Sequence, residues 1–304
     1  MNTATRVSAI ITTYNYGEFI VEAIESVLNQ TRPPDEVFVV DDGSTDQTSE
    51  LVAPYVERGQ VVYIQQANSG PSEARNNGFE RSTGDLIAFL DADDTWLPDK
   101  LERQLAWLAA HPRASMVSGP MIWWHVPRDE RWVVAFKAMP AARFRREVTI
   151  RNLVGNPSMA LIRRTALERA GLFDTTLRWG QDWEIFVRLA RVGEVGFVAD
   201  PVIVYRWHRG NLSHERRMEQ LSMNHSISRR AIATHLPGWQ RPILRLRSWS
   251  VIEFDRARIH HTEGGPRVRT FRHAALALLS WPLEDTREKA KLLGRSLVGE
   301  ATYQ

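Results

Sequence analysis

Residues 86–94, Leu-Ile-Ala-Phe-Leu-Asp-Ala-Asp-Asp, decide how the rest of the chain is read. An apolar run of about strand length stops at once in three carboxylates, Asp91, Asp93 and Asp94. Like charges this close oppose one another's ionisation unless a cation neutralises them, and the economical explanation is a bound divalent metal. If the strand continues into Asp91, side chains two apart share a face, so Asp91 and Asp93 converge while Ala92 leaves room for a ligand. Hard oxygen ligands in small number suit Mg²⁺ or Mn²⁺, which also take diphosphate oxygens. A second reading makes Asp94 or Thr95 the start of the helix after Pro98, although capping needs one acidic residue and not three.

Outward from this stretch, strands and helices alternate. Residues 7–12 read as a buried strand, and Asn15 with Glu18 reads as a capping box opening a helix whose Ile20, Ile24, Val27 and Leu28 share a face. A strand over 36–40 ends at Asp41 and Asp42. A helix near 48–56, a strand over 61–65 and a helix over 72–81, weakened by Gly78, lead into the acidic strand. The expectation is an α/β fold with a mixed, mainly parallel, Rossmann-like sheet flanked by helices, joined by right-handed crossovers. In such sheets ligands bind beyond the carboxyl ends of the strands. Those ends carry Thr13, Tyr14 and Asn15, then Asp41 and Asp42, then Asn68 and Ser69, then Asp91 and Asp93.

Beyond a helix over 100–110, residues 115–140 read as irregular and rich in Trp. A strand over 158–162, helices over 164–170 and 183–192, and short strands over 196–199 and 202–207 follow. From residue 215 the chain reads as helices broken at Pro237, Gly264 to Pro266 and Pro282.

Composition sets the outer bounds. A chain of 304 residues fits two domains or one large α/β domain, and 43% hydrophobic with 25% charged residues is ordinary for a soluble protein. The absence of cysteine excludes disulfides and thiolate metal sites. The opening residues have too short an apolar run for a signal peptide, and no segment approaches the roughly 20 apolar residues of a membrane span, so a cytoplasmic protein is expected. Charge is uneven: 27 acidic and 21 basic residues in 1–204 give −6, whereas 9 acidic and 18 basic in 205–304 give +9. Arginine dominates the back third and suits phosphate. An anionic membrane face and nucleic acid both fit such charge, as does a solvated helical face. The apolar stretch 271–283 favours packing on the preceding α/β domain or peripheral contact with an anionic inner-membrane surface, with no nucleic-acid partner.

Single residues suggest roles at the sheet edge. Asp42, acceptor-only, can take the imide N–H of a uracil; Asp41 is its structural twin, one of the two carboxylates can serve only to hold the turn, and Asp42 is assigned the ligand role. Arg75 lies on a helix whose start faces the same edge, where a cation and free N–H groups suit phosphate.

Six motifs now stand in order: TTYN (12–15), VVDDGSTD (39–46), NSGPSEARNNG (68–78), GDLIAFLDADD (84–94), GQDWEIFVRLA (180–190) and YRWHRGNLS (205–213). Together they resemble the family 2 inverting glycosyltransferases of GT-A fold, over about residues 5–215. The resemblance implies transfer of a sugar from a nucleoside diphosphate, usually UDP, with Mn²⁺ or Mg²⁺. Carried over by position, Thr13, Tyr14, Asn15, Asp42, Arg75 and Asp91 bind the donor, Asp91 near the ribose and sugar. Asp93 ligates the metal, His208 reaches the diphosphate or metal, or is a packed or solvated histidine, and Asp182 is the catalytic base or, alternatively, a helix cap. The family commonly has Glu-Asp where this chain has Gln181-Asp182, which puts an orienting acid in doubt. Trp123, Trp124, Trp179 and Trp183 can stack on sugars; Trp179 and Trp183 are the acceptor candidates, with core packing the reading for at least two of the four.

The expected organisation is a catalytic domain over 1–214, with a nucleotide-sugar half over 1–112 and an acceptor half over 113–214, then a basic helical region over 215–304. The acceptor is a saccharide or lipid-linked hydroxyl in cell-surface polysaccharide biosynthesis. Inversion needs a base on that hydroxyl and a cation on the departing charge. A glycosidase also uses two carboxylates but needs no nucleotide-shaped edge. A sugar nucleotidyltransferase would open with a Gly-rich loop that TTYNYG lacks, and no GxxxxGK[ST] loop is present. A non-catalytic nucleotide-sugar-binding protein has no use for both Asp93 and Asp182.

Overall fold

Every residue of β1 (Val7–Thr13) is buried, as expected of a strand covered on both faces. The computed structural model describes residues 5–135, 139–208, 210–211, 217–262, 265–281 and 285–298. After β1 come α1 (Gly17–Leu28), β2 (Glu36–Asp41), α2 (Thr48–Glu57), β3 (Val62–Gln65), α3 (Pro71–Arg81) and β4 (Leu86–Asp91). Gly78, which costs α3 helix propensity, lets it approach the sheet: a Cβ there would stand 2.4 Å from Ile10 Cγ2.

The chain continues through β5 (Thr95–Trp96), α4 (Lys100–Ala110), β6 (Ala114–Ser118), β7 (Met121–His125), β8 (Glu130–Val134), α5 (Ala141–Glu147), β9 (Leu161–Arg163), α6 (Arg164–Ala170), α7 (Gln181–Val192), β10 (Glu194–Phe197) and β11 (Ile203–Trp207). A seven-stranded sheet runs β10-β6-β9-β4-β1-β2-β3, parallel except where β9 lies antiparallel to β4 and β6. A smaller sheet runs β5-β11-β7-β8.

Three local expectations are corrected. The stretch 115–140, read as irregular, holds β6, β7 and β8; β7 and β8 form a hairpin with Asp129 at φ 50, Trp123 opposite Trp132 and Arg131 over Trp124. Large aromatics on both faces hid the period of two. Asn15 does not cap α1: its Oδ1 accepts from Thr45 N–H at 2.8 Å, and the Gly17 N–H instead donates to Asp46 Oδ2 at 2.9 Å. Asp94 and Thr95 do not start α4, because Thr95 enters β5 and Asp99 holds the cap position.

Two compact units form, residues 1–145 with 153–209, and residues 146–152 with 210–304. The second contains α8 (Arg217–His235), α9 (Arg241–Thr262), α10 (Arg267–Ser280) and α11 (Thr286–Val298). Of the 271–283 stretch, expected on the catalytic domain or a membrane, residues 271–280 lie in α10, which packs on α9 and α11 with Ala274 in a cluster with Ala257 and Leu292. Arg209, Leu212 and Ser213 of the sixth motif, Gly264, Pro282 and Leu283 lie outside the described residues. Among those described, no helix is long and apolar enough to cross a membrane.

Candidate active site

Register builds the site. Parallel pairing sets Thr12 opposite Asp91 and Thr13 opposite Asp41, so β1, β2 and β4 finish on one edge. There Arg75 Nη2 lies 2.6 Å from Asp91 Oδ1, and the Thr12 hydroxyl donates to the same oxygen at 3.3 Å. Arg75 is 6% exposed, its guanidinium stands 5.3 Å from the Phe173 ring centroid, and its Nε has no acceptor among the described residues.

Asp182 enters from α7. Gly180, left-handed at φ 73, takes the cap position, so Asp182 is not the N-cap residue but lies inside the first turn, where its carboxylate accepts the Trp183 N–H; the N-cap reading is corrected. Burial pushes its carboxyl up, the Arg75 guanidinium and the Trp183 N–H draw it down, and Asp91 pushes it up again. One cation therefore serves two carboxylates far apart in sequence, paired with Asp91 and acting through its field on Asp182. Glu184 is held by Arg188, whose Nη2 approaches its Oε2 at 2.6 Å. Gln181, standing where the family commonly has Glu, donates Nε2 to the Arg178 carbonyl at 2.9 Å.

A second pair lies at the start of the smaller sheet. Antiparallel pairing of β5 with β11, Thr95 opposite Val204, carries the chain after Trp207 back toward the acidic turn. His208 Nε2 consequently lies 3.4 Å from Asp93 Oδ2. Tyr16 meets the imidazole edge-on at 5.9 Å, and its phenol is pushed up by burial, then by Asp93 and Asp91. Sequence reasoning missed Tyr16; its position just past TTYN at a strand end was the available signal.

The three clustered carboxylates do not converge. The strand ends at Asp91, so alternation does not extend to Asp93. Asp91 faces Arg75, Asp93 faces His208, and Asp94, fully buried, accepts from Asn156 Nδ2 at 2.8 Å. Burial, then Asp93 and Asp91, push the Asp94 carboxyl up. Among the described residues no group of three or more metal-ligating side chains gathers.

Asp42 is also engaged: Oδ1 accepts from Gln66 Nε2 at 2.8 Å and the Ser69 N–H at 2.9 Å, and Oδ2 from the Gly70 N–H at 2.7 Å. One lone pair of Oδ2 remains for a ligand. Asp41 holds the Ser44 N–H and the Tyr63 hydroxyl. Thr13 is 3% exposed with its hydroxyl unpartnered among the described residues, and Tyr14 stands open at 44%. Of the acceptor candidates, Trp183 is 3% exposed and presents no ring face to a sugar, a correction that core packing explains; Trp179 is half-buried.

Comparison with known proteins follows this geometry. The model of the family described as "Glycosyl transferase family 2" matches residues 8–171. An uncharacterised glycosyltransferase of Nostoc sp. is 45% identical over 100 residues, 32% of this chain and 31% of that protein. The Bacillus subtilis protein TuaG, named as a teichuronic acid biosynthesis glycosyltransferase, is 42% identical over 116 residues, 37% of this chain and 46% of its own. The matched region thus spans less than half of either relative. Among solved structures, S. aureus TarS residues 1–349 in complex with UDP-GlcNAc aligns with a TM-score of 0.70 at 19% identity, over 98% of this chain and 93% of that one. The mannosyltransferase PcManGT of Pyrobaculum calidifontis, in complex with GDP-Man and Mn²⁺, aligns with a TM-score of 0.63 at 23% identity, over 98% and 81%. The family match takes in more than half of the chain, which therefore belongs to the family 2 glycosyltransferases and carries the GT-A fold.

Proposed function

We propose that the chain transfers a sugar with inversion from a nucleoside diphosphate, UDP foremost, to a hydroxyl of a saccharide or lipid-linked acceptor in polysaccharide assembly. The observation that carries this reading is Arg75, buried against Asp91 and acting through its field on Asp182, with an N–H left over. A donor phosphate oxygen satisfies that N–H, and Asp182 is left to accept the proton of the attacking hydroxyl. Thr13, Tyr14, Asn15 and Asp42 line the nucleoside side, Asp42 through its remaining lone pair. The UDP-GlcNAc complex of TarS and the polysaccharide role in TuaG's name support the donor and product classes.

Asp93 and His208 fit a divalent cation. One carboxylate and one imidazole 3.4 Å apart make a two-donor set of the kind that leaves the remaining positions to diphosphate and water, and the Mn²⁺ in PcManGT supports Mn²⁺ or Mg²⁺. When bound, the ion offsets charge on the departing diphosphate. Thermal shift with UDP tests the reading: Mn²⁺ should raise the UDP-induced shift of the parent, and Asp93→Ala should remove that increment while leaving the unliganded melting temperature near the parent's. Equal UDP shifts with and without metal in the parent would eliminate the metal-assisted donor site.

A further inference from the structure

In the helical unit a groove of about 430 Å³ is lined by Ser222, His225, Ser226, Arg229 and Arg230 of α8 and Arg245 of α9. It holds three guanidinium groups, an imidazole and two hydroxyls, with no carboxylate in its lining. Two other arginines of this unit are neutralised: Arg247 pairs with Glu147 and Arg256 with Glu253. Arg229 and Arg245 are exposed and have no ion pair among the described residues. Guanidinium forks match phosphate oxygens two at a time, so converging unpaired arginines make a phosphate site.

What lies beside the groove narrows the source of that phosphate. At about 100° per residue the exposed arc at the start of α9 runs from Arg245 through Leu246 to Ile243. Ile243 is 58% exposed, Leu246 44%, and Trp239, in the turn just before the helix, 79%. A soluble phosphate has no use for three large apolar side chains held in water. A bilayer face does: indole and aliphatic groups enter the acyl boundary while arginines stay at headgroup phosphates. The net +9 over residues 205–304 matches an anionic leaflet.

We infer that the α8–α9 groove with Trp239, Ile243 and Leu246 seats this protein on a bilayer face bearing anionic phospholipid headgroups. The inference rests on the proposed reading only in that a lipid-linked acceptor would be met there; binding itself is measured without sugar transfer, so either idea can fail alone.

The full chain is floated with vesicles of phosphatidylglycerol and phosphatidylcholine, and with phosphatidylcholine alone, at low salt and at about 1 M, where screening shortens to roughly 3 Å. It should float with the anionic vesicles at low salt and much less at high salt. Each arginine near such a surface strengthens partition about five-fold, so Arg229→Gln with Arg245→Gln should weaken it about 25-fold. Trp239→Ser with Ile243→Ser should remove the binding that survives salt, and circular dichroism of both variants should match the parent. No flotation at low salt, or flotation indifferent to the arginine pair, overturns the inference. So does saturable binding of inorganic phosphate or diphosphate in calorimetry without vesicle binding, which would make the groove a soluble-anion site. A dimer in light scattering that Trp239→Ser with Ile243→Ser converts to monomer would give the apolar face to a second copy instead.

Discussion

A base that takes a proton from a sugar hydroxyl gains from a pKa drawn up toward the working pH, and burial draws Asp182 that way while Arg75 limits the rise. The sign for activity follows. Asp182 must be ionised to act, so the acid limb of kcat/KM should lie above the ordinary carboxylate value of about 4. Arg75→Gln removes the cation that draws this carboxyl down and should move the limb higher, a shift in the pH profile that a purely structural arginine would not cause. Asp182→Asn should keep donor and metal binding and lose at least about 100-fold in transfer. Its stability should stay near the parent's, since the amide oxygen of asparagine can still accept the Trp183 N–H. A variant within a few-fold of the parent while chemistry limits the rate would place the base elsewhere, and not at Glu184, whose carboxylate Arg188 already holds. These residues were legible as motif members. Their partners were not: Arg75 reaches Asp91 and His208 reaches Asp93 only through sheet register, which no local spacing encodes.

At the scale of the element, legibility followed burial on two faces. The strands β1, β2 and β4 read as continuous apolar runs ending in polar residues, and the structure places them side by side in parallel. The β7–β8 hairpin was missed because Trp123, Trp124 and Trp132 disguise its alternation, and the start of α1 because Asp46, distant in sequence, serves the N–H that a local rule gave to Asn15. Gly78 shows the same tension between local and tertiary terms. In an isolated helix Gly→Ala gains about 1 kcal/mol. Here the added methyl would fall 2.4 Å from Ile10 Cγ2 and 3.1 Å from Val40 Cγ2, on β-branched core side chains with little freedom to yield. Overpacking costs roughly 1–3 kcal/mol and a 2.4 Å approach puts this site in the upper half of that range, so the tertiary term wins and Gly78→Ala should be destabilised by roughly 1–2 kcal/mol net in urea unfolding. Unchanged or higher stability would mean that α3 can move off the sheet without loss.

For the molecule as a whole, the division into two units does not follow the chain simply, because residues 146–152 belong to the helical unit although residues on both sides of them belong to the other. No local pattern of residues hints at this, since the segment is seven residues long and its partners lie about 80 to 100 positions away. Ile150 joins Ile232, Leu236 and Leu244 in one cluster, and the Ser228 hydroxyl donates to the Thr149 carbonyl at 2.7 Å. Glu147, 4% exposed, receives Arg247 through Nη1 and Nη2, each at 2.7 Å, with the more exposed Arg146 at 3.5 Å. A buried pair contributes little net stability against a well-packed apolar replacement, yet removing one partner strands the other and costs about 3–5 kcal/mol. Arg247→Met should therefore lower the stability of the helical unit by roughly 3 kcal/mol, the low end because Arg146 remains nearby. The double variant Glu147→Leu with Arg247→Met removes both charges and should recover most of that loss. Urea unfolding followed by hydrogen exchange resolves which amides lose protection: those of α8, α9 and residues 146–152 should fall together in the single variant and recover together in the double. If the single variant stays within about 0.5 kcal/mol of the parent, or the double is no better than the single, the pair does not anchor this segment and the apolar contacts of Ile150 must hold it alone.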